Sequence, residues 1–266
     1  MDLSIIIVNY KSRSKIEKCL SSIYQESLEP IRFEVIVIEN NSGDSLFDLQ
    51  EKYNFKLISS NKNLGMGGGN NLGIVEARAN TILVLNPDTY ISASAIKILL
   101  NRLNSDDKIG LIGPKLINSD KTLQYSCARF PSFFVPILRR TFLGKYFKKT
   151  RDNFLMTDFD HESSIEVDWL MGSCLMFRKS FPNNSGDLFR PRFDKRYFMY
   201  FEDIDLCREI KKNGKKVVYE PSAVVVHDHA RQSAKNPWYI ALFKDKITWI
   251  HISSWMKYFA KWGFKK

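Results

Sequence analysis

Three runs of apolar residues limit what this chain can fold into: LSIIIVN (3–9), FEVIVIEN (33–40) and TILVLN (81–86). The first is apolar almost throughout, as expected of a strand covered on both faces, and such strands belong to parallel sheets sheathed by helices. The sequence between the runs supplies those helices. SKIEKCLSSIYQ sets Ile16, Cys19, Leu20 and Ile23 at helical spacing, with Ser14 as the expected N-cap and Glu17 as its capping-box partner. SLFDLQEKY and NLGIVEARA read as helices, KLISS as a short strand, and SASAIKILLNRL as a helix opening at Ser92. This order predicts an α/β fold, a mostly parallel central sheet with right-handed crossovers. Ligands of such sheets sit at the carboxyl ends of the strands. Asn9 with Tyr10, Glu39 with Asn40, and Asn86-Pro87-Asp88 all stand at strand ends and are expected around one crevice.

The second half has a different rhythm. KIGLIGPKLI, TLQYSCA, IEVDWLMGSCLMFRK, KKVVYE and AVVVHDH read as strands, and EDIDLCREIKKNG as a helix closed by Gly214. No repeat or low-complexity linker divides the halves, so residues 1–232 read as one domain and 233–266 as a tail. With 266 residues, 44% of them hydrophobic, the chain can bury a sizeable core. It contains no apolar run of about 18 residues and no basic leader, so neither a membrane span nor a secretion signal is expected. Four scattered cysteines without CxxC spacing argue against a zinc site or a disulfide framework and fit a reducing cytoplasm.

The net charge of +11 is concentrated in two segments. Residues 129–151 hold seven Lys or Arg and no acid, and residues 235–266 hold seven Lys against one Asp. Both interleave the charge with aromatics, as in PSFFVPILRRTFLGKYFKK and WYIALFKDKITWIHISSWMKYFAKW. Such segments suit an anionic lipid surface or a nucleic acid; the plain alternative is a solvated face over core aromatics.

Taken in order, SIIIVNYKS, VIVIENNSGD, NKNLGMGGGNNLGI, LVLNPDT, VDWLMGSCLMFRK and FDKRYFMYFEDIDLCREIKKNGKKVVYEPSAVVVHDHARQS form a series that resembles glycosyltransferase family 2, the inverting enzymes of GT-A fold. Within that family the series is most similar to the bacterial rhamnosyltransferase-like group of O-antigen and polysaccharide biosynthesis. The resemblance covers about residues 3–232. It implies a nucleotide-sugar-binding half (1–115) and an acceptor and catalytic half (116–232) that contains the basic aromatic segment 129–151. The implied reaction moves L-rhamnose from dTDP-L-rhamnose to a polyprenyl diphosphate-linked glycan, with a UDP-hexose galactosyl- or glucosyltransferase as the alternative. An acceptor anchored in lipid implies work at a membrane surface, peripheral on the cytoplasmic face of the bacterial inner membrane.

Each motif also has its own chemistry. A diphosphate leaving group calls for a divalent cation, and a hard carboxylate oxygen suits Mg²⁺ or Mn²⁺. Asp88, pinned behind Pro87, offers one, although a lone Asn-Pro-Asp is an ordinary turn. The family's two-carboxylate signature is reduced here to Asn86-Pro87-Asp88. By resemblance His227 completes the metal site; an isolated His is otherwise a structural residue, and His229, on the same strand face, has no assigned role. YFEDIDLC places three acids at a helix start, where the dipole favours them. The resemblance makes Asp203 the general base and has Glu202 orient the acceptor, while Asp205 reads as structural. In the family an Asp after the second strand receives the pyrimidine N3 proton; here Glu39 stands there, with Asn40 sharing the task. Val8, Asn9 and Tyr10, the glycine segment with Gly65 and Gly67, and Asn70 or Asn71 are implied to line the donor pocket. Trp169, Met171 and Gly172 are implied on the acceptor side.

Two other classes were weighed. A nicotinamide or flavin oxidoreductase would place GxGxxG after the first strand, whereas these glycines follow the third and lack the fingerprint. A nucleic-acid-binding protein would use the basic segments, but neither matches a reader motif, and Asp88, Asp203 and His227 would stay unexplained; no nucleic acid partner is expected.

Overall fold

In the computed structural model, which describes residues 1–140, 143–228 and 245–264, the three apolar runs are adjacent parallel strands. β1 (Leu3–Asn9) lies between β2 (Phe33–Glu39) and β4 (Thr81–Leu85), and β3 (Lys56–Ser59) extends the sheet beyond β2. Helices α1 (Arg13–Tyr24), α2 (Phe47–Lys52), α3 (Gly65–Glu76) and α4 (Ala93–Ser105) make the connections. The second half adds β5 (Thr89–Tyr90), β6 (Ile109–Ile117), β7 (Cys174–Arg178) and β8 (Lys216–His227), with α5 (Glu202–Lys212) before β8 and α6 (Lys246–Trp262) near the end. The sheet order is β3-β2-β1-β4-β7-β6-β8-β5. β7 is antiparallel to both neighbours, pairing Cys174 with Leu85. Its first residue therefore lies at the edge where β1, β2 and β4 end, and the residues just before it enter the crevice.

Alternate residues of β1 serve two cores. Leu3, Ile5 and Ile7 pack with Ile16, Leu20 and Ile23 of α1 and Ile96 and Leu99 of α4. Ile6 and Val8 belong to the opposite cluster with Ile74 of α3, Ile204 and Ile210 of α5, and Tyr258 and Phe259 of α6.

Ser92 caps α4, its hydroxyl accepting from the Ala95 N–H at 3.2 Å, and Gly214 closes α5 at φ +84°, both as expected. The expected start of α1 is corrected. The helix begins at Arg13, because the Ser12 N–H donates to Asn9 Oδ1 and to Asp44, which turns the chain into helix earlier and leaves Ser14 inside it. The glycine segment is also helical from Gly65, two turns ahead of the helix read from NLGIVEARA. Glycines weaken a helix by about 1 kcal/mol each relative to alanine. Here they permit close packing: a Cβ on Gly73 would stand 2.5 Å from Ile6 Cγ2.

The helix α6, read from sequence as part of a separate tail, is packed on the domain. Lys261 Nζ contacts Asp194 (3.1 Å), Asp205 (2.8 Å) and Glu209 (2.9 Å), and the Trp262 indole N–H donates to Asp205 at 2.7 Å. The fully buried Asp205 is thus a structural clasp. Residues 229–244, with His229 and Trp238, lie outside the described residues. All four cysteines are buried and free. Among the described residues no helix is long and apolar enough to cross a membrane.

Phe259→Ala would leave a cavity between α6 and α5, with an expected loss of about 3–5 kcal/mol in urea unfolding. A loss below about 1 kcal/mol would remove α6 from the core.

Candidate functional site

Pro87 fixes the backbone after β4, and two hydrogen bonds hold the turn to the segment before β7. The Asn86 N–H and the Thr89 hydroxyl both donate to the Ser173 carbonyl, at 2.9 and 3.2 Å. The turn presents the Asp88 carboxylate. Its Oδ1 lies 3.5 Å from His227 Nε2, and its Oδ2 accepts from Lys15 Nζ at 3.0 Å. Burial works to raise the Asp88 pKa, but His227 and Lys15 outweigh it and hold the carboxyl down at about 2. The imidazole is itself aligned. Gln124 donates its amide N–H to the His227 carbonyl (2.7 Å) and to Asn118 Oδ1 (2.6 Å), so its Oε1 faces His227 Nδ1 at 2.9 Å. Nδ1 therefore carries a proton and Nε2 is the atom turned to Asp88.

One residue before Ser173, the Gly172 N–H donates to Asp203 Oδ2 at 2.9 Å, and the Ile204 N–H donates to Oδ1 at 2.8 Å. Asp203 is thereby held on both oxygens. The Trp169 indole N–H supports the same carboxylate outside full hydrogen-bond geometry. A Cβ on Gly172 would meet Asp203 Cβ at 3.0 Å, so a glycine is needed for this approach. Tyr200 and Phe201, immediately before α5, both adopt φ +69°. Left-handed backbone at two successive aromatic residues is strained, and the surrounding packing must hold it there. Glu202 is buried, and burial with the adjacent Asp203 charge raises its pKa. Burial also raises Asp203, against the pull of the Gly172 and Ile204 N–H groups.

Several residues expected at the donor pocket spend their side chains on the protein's own loops, through backbone and side-chain partners. Asn9 bonds Ser12, Ser42 and Asp44. Glu39 accepts from the N–H groups of Asn41 and Ser42 and shapes the loop after β2. Asn40 accepts from the Leu64 N–H and donates to Asn63 and the Gly65 carbonyl. Asn71 brackets Phe193, donating to its carbonyl at 2.7 Å and accepting from its N–H at 3.0 Å. Gly65, at φ +73°, lies against the Phe198 carbonyl, and Gly67 against Phe193. Val8 is core, Met171 is half-buried against both clusters, and Tyr10 is exposed.

Among the described residues, five buried polar atoms on these segments have no hydrogen-bond partner of full geometry: Asn70 Oδ1, Asn86 Oδ1, Trp169 Nε1, Ser173 Oγ and Glu202 Oε2. Each would cost about 1–3 kcal/mol if left dry, so they suit a polar ligand. For a cation, Asp88 and His227 offer a hard oxygen and an imidazole nitrogen side by side, a donor set that fits Mn²⁺ or Mg²⁺. Among the described residues no group of three or more His, Cys, Asp or Glu converges, so substrate and water would supply the remaining ligands. The sequence reading missed Lys15, Gln124 and Ser173. Lys15 had a legible signal: it precedes the buried Cys19 by one helical turn, on a helix face otherwise directed inward.

The sequence pattern described as Glycosyl transferase family 2 matches residues 4–180. The chain is 28% identical over 284 residues to the N-acetylglucosaminyl-diphospho-decaprenol L-rhamnosyltransferase of Mycobacterium tuberculosis, covering 99% of this chain and 89% of that one. It is 25% identical to the rhamnosyltransferase WbbL of Escherichia coli, with 97% and 92% covered. Among solved structures, Staphylococcus aureus TarS 1-349 superposes with a TM-score of 0.58 at 15% identity, over 85% of this chain and 60% of that one. The mannosyltransferase PcManGT of Pyrobaculum calidifontis, in complex with GDP-Man and Mn²⁺, also gives 0.58 at 15% identity, over 87% and 58%. The fold is that of the GT-A glycosyltransferases, and with the pattern matched across most of its length the chain belongs to glycosyl transferase family 2.

Proposed function

We propose that the protein transfers L-rhamnose from dTDP-L-rhamnose to a polyprenyl diphosphate-linked glycan in bacterial cell-surface polysaccharide synthesis. The observation that carries this reading is the link from the Asp88 turn, through Ser173 and Gly172, to Asp203. It holds a site for a leaving diphosphate and a base for an acceptor hydroxyl in one frame. The two rhamnosyltransferase relatives favour the sugar, and the diphospho-decaprenol acceptor of the Mycobacterium tuberculosis relative favours the lipid-linked acceptor.

In a single displacement, Asp203 accepts the proton of an acceptor hydroxyl as its oxygen bonds to the anomeric carbon. The bond from that carbon to the diphosphate oxygen breaks, and the electron pair leaves with the nucleoside diphosphate. Asp88 and His227 would hold a divalent cation, which when bound would supply positive charge against this leaving group. Gln124 keeps His227 Nε2 turned to the site, and the Gly172 and Ile204 N–H groups keep Asp203 aligned. Burial and the adjacent Asp203 raise the Glu202 pKa and so favour its protonated form, which can donate to an acceptor oxygen. Donor hydrolysis across dTDP-, UDP- and GDP-sugars, with and without Mn²⁺, tests the assignment; activity with a UDP-hexose alone would replace rhamnose by galactose or glucose.

The reading extends to a membrane surface. Phe133, on the basic segment, packs its ring against Trp255 (4.5 Å), Phe259 (5.2 Å) and Phe264 (5.1 Å), so the two basic aromatic segments form one face. Phe134, Tyr146 and Phe264, on these two segments, are 64%, 79% and 68% exposed. Each Lys or Arg near an anionic surface contributes about 1 kcal/mol, which is enough for reversible attachment at the cytoplasmic face of the inner membrane.

Three outcomes are expected. Asp203→Asn keeps the shape but loses proton acceptance, lowering kcat on the order of 10²-fold with donor affinity unchanged; near wild-type turnover would end the assignment. In wild type, kcat/KM should fall as pH drops through the raised Asp203 pKa, so its acid limb should lie above the ordinary carboxylate range of about 4. Asp88→Ala should weaken both nucleotide binding and turnover, with His227→Ala doing so less, while normal behaviour in both variants would exclude the metal site. The protein should float with anionic liposomes at low salt and release at high salt; a folded protein that stays in the bottom fraction at low salt refutes attachment.

A further inference from the structure

The Asp88 turn carries a single carboxylate, and that carboxylate is already shared. Lys15 Nζ holds Oδ2 at 3.0 Å, while His227 faces Oδ1. Lys15 is not a stray surface cation. It sits in the first turn of α1, whose start is set by the Asn9 bond to Ser12, and four residues on the buried Cys19 thiol touches the Asn86 carbonyl at 3.9 Å. The same helix face therefore meets the turn twice. In the same turn as Asp88, Asn86 Oδ1 is buried and has no hydrogen-bond partner among the described residues. Asn86 contributes no charge, so the ammonium alone balances Asp88 from this side. A lysine is a compact charge on a flexible stem, which suits it to exchange one oxyanion for another.

Resting on the nucleotide-donor reading, we propose that Lys15 is a donor-positioning residue that holds Asp88 in the free enzyme and passes to the donor diphosphate when a nucleoside diphosphate and a cation enter. The reason is electrostatic. A divalent cation and an ammonium compete for one carboxylate, and a polyanion arriving with the cation lets both be satisfied. Lys15 thus opposes cation binding before the nucleotide arrives and supports nucleotide binding once it does.

The two effects have opposite signs, which a merely structural lysine would not produce. Mn²⁺ binding followed by electron paramagnetic resonance without nucleotide, and equilibrium binding of dTDP and UDP in chelator, read them without turnover. Lys15→Met is expected to bind Mn²⁺ several-fold more tightly than wild type. It should bind the nucleoside diphosphate in chelator on the order of tenfold more weakly, the loss of one charge-assisted hydrogen bond. Lys15→Arg should keep the metal-free nucleotide binding within about threefold of wild type. Should Lys15→Met unfold, Lys15→Gln replaces it with the same two expectations. Variants that leave both constants within about twofold of wild type, or weaken both, overturn the role of Lys15. Wild type that binds neither dTDP nor UDP even with Mn²⁺ would instead remove the donor-site reading on which the role rests.

Discussion

Two backbone groups, the Ser173 carbonyl and the Gly172 N–H, join the halves of the crevice. The carbonyl receives the Asn86 N–H, and the N–H one residue earlier goes to Asp203. The arrangement exists because β7 runs antiparallel among strands that mostly end at this edge, so its first residues arrive where theirs finish. A parallel strand in that place would deliver its last residues there, and the polypeptide could not pass directly from the Asp203 contact to the Asn86 contact. Peptide groups have few soft dihedrals. Two of them in succession therefore fix the separation of the proposed cation ligand and the proposed base more firmly than side-chain contacts would.

The polar residues at the strand ends divide into two kinds. Asn9, Glu39, Asn40 and Asn71 satisfy backbone groups of the loops around them. The Asp88 turn and Asp203 are tied instead to the Gly172–Ser173 segment, and among the described residues Glu202 Oε2 and the amide oxygens of Asn70 and Asn86 are buried without a hydrogen-bond partner. The first kind makes the second effective: groups held in place before a substrate arrives need no reorganisation when charge develops. The Gly65 contact with the Phe198 carbonyl belongs to the same scaffold, since it seats the start of α3 against the segment leading to α5.

The C-terminal helix shows that one amphipathic segment can serve two roles. Tyr258 and Phe259 complete the core on this side of the sheet, Lys261 neutralises the buried Asp205, and the Trp262 indole N–H donates a hydrogen bond to it. Arg208 lies between the rings of Phe130 and Trp262, each 4.9 Å away. The acids at the start of α5 thus separate by partner: Asp205 is paired with the Lys261 ammonium, whereas Asp203 accepts from the Gly172 and Ile204 N–H groups and Glu202 is raised in pKa by burial and the Asp203 charge. Lys246, Trp249 and Lys257 of the helix are exposed and belong to the proposed lipid-facing surface.

Chain-local rules sufficed for the strands at 3–9 and 33–39, the Ser92 cap, the Gly214 stop and the convergence of polar strand ends, because apolar periodicity and capping act over a few residues. The motif series carried the family. The start of α1 and the helical state of the glycine segment were misread, since the Asp44 bond and the seat of α3 on Ile6 involve residues distant in sequence. Lys15 meets Asp88 across 73 residues, Gln124 meets His227 across 103, and Gly172 meets Asp203 across 31. The sequence by itself determined which side chains were available at the ends of the strands. Tertiary structure alone decided which of them were consumed in holding loops and which were paired in the crevice, because a hydrogen bond or ion pair is chosen by distance in space, and sheet order sets that distance.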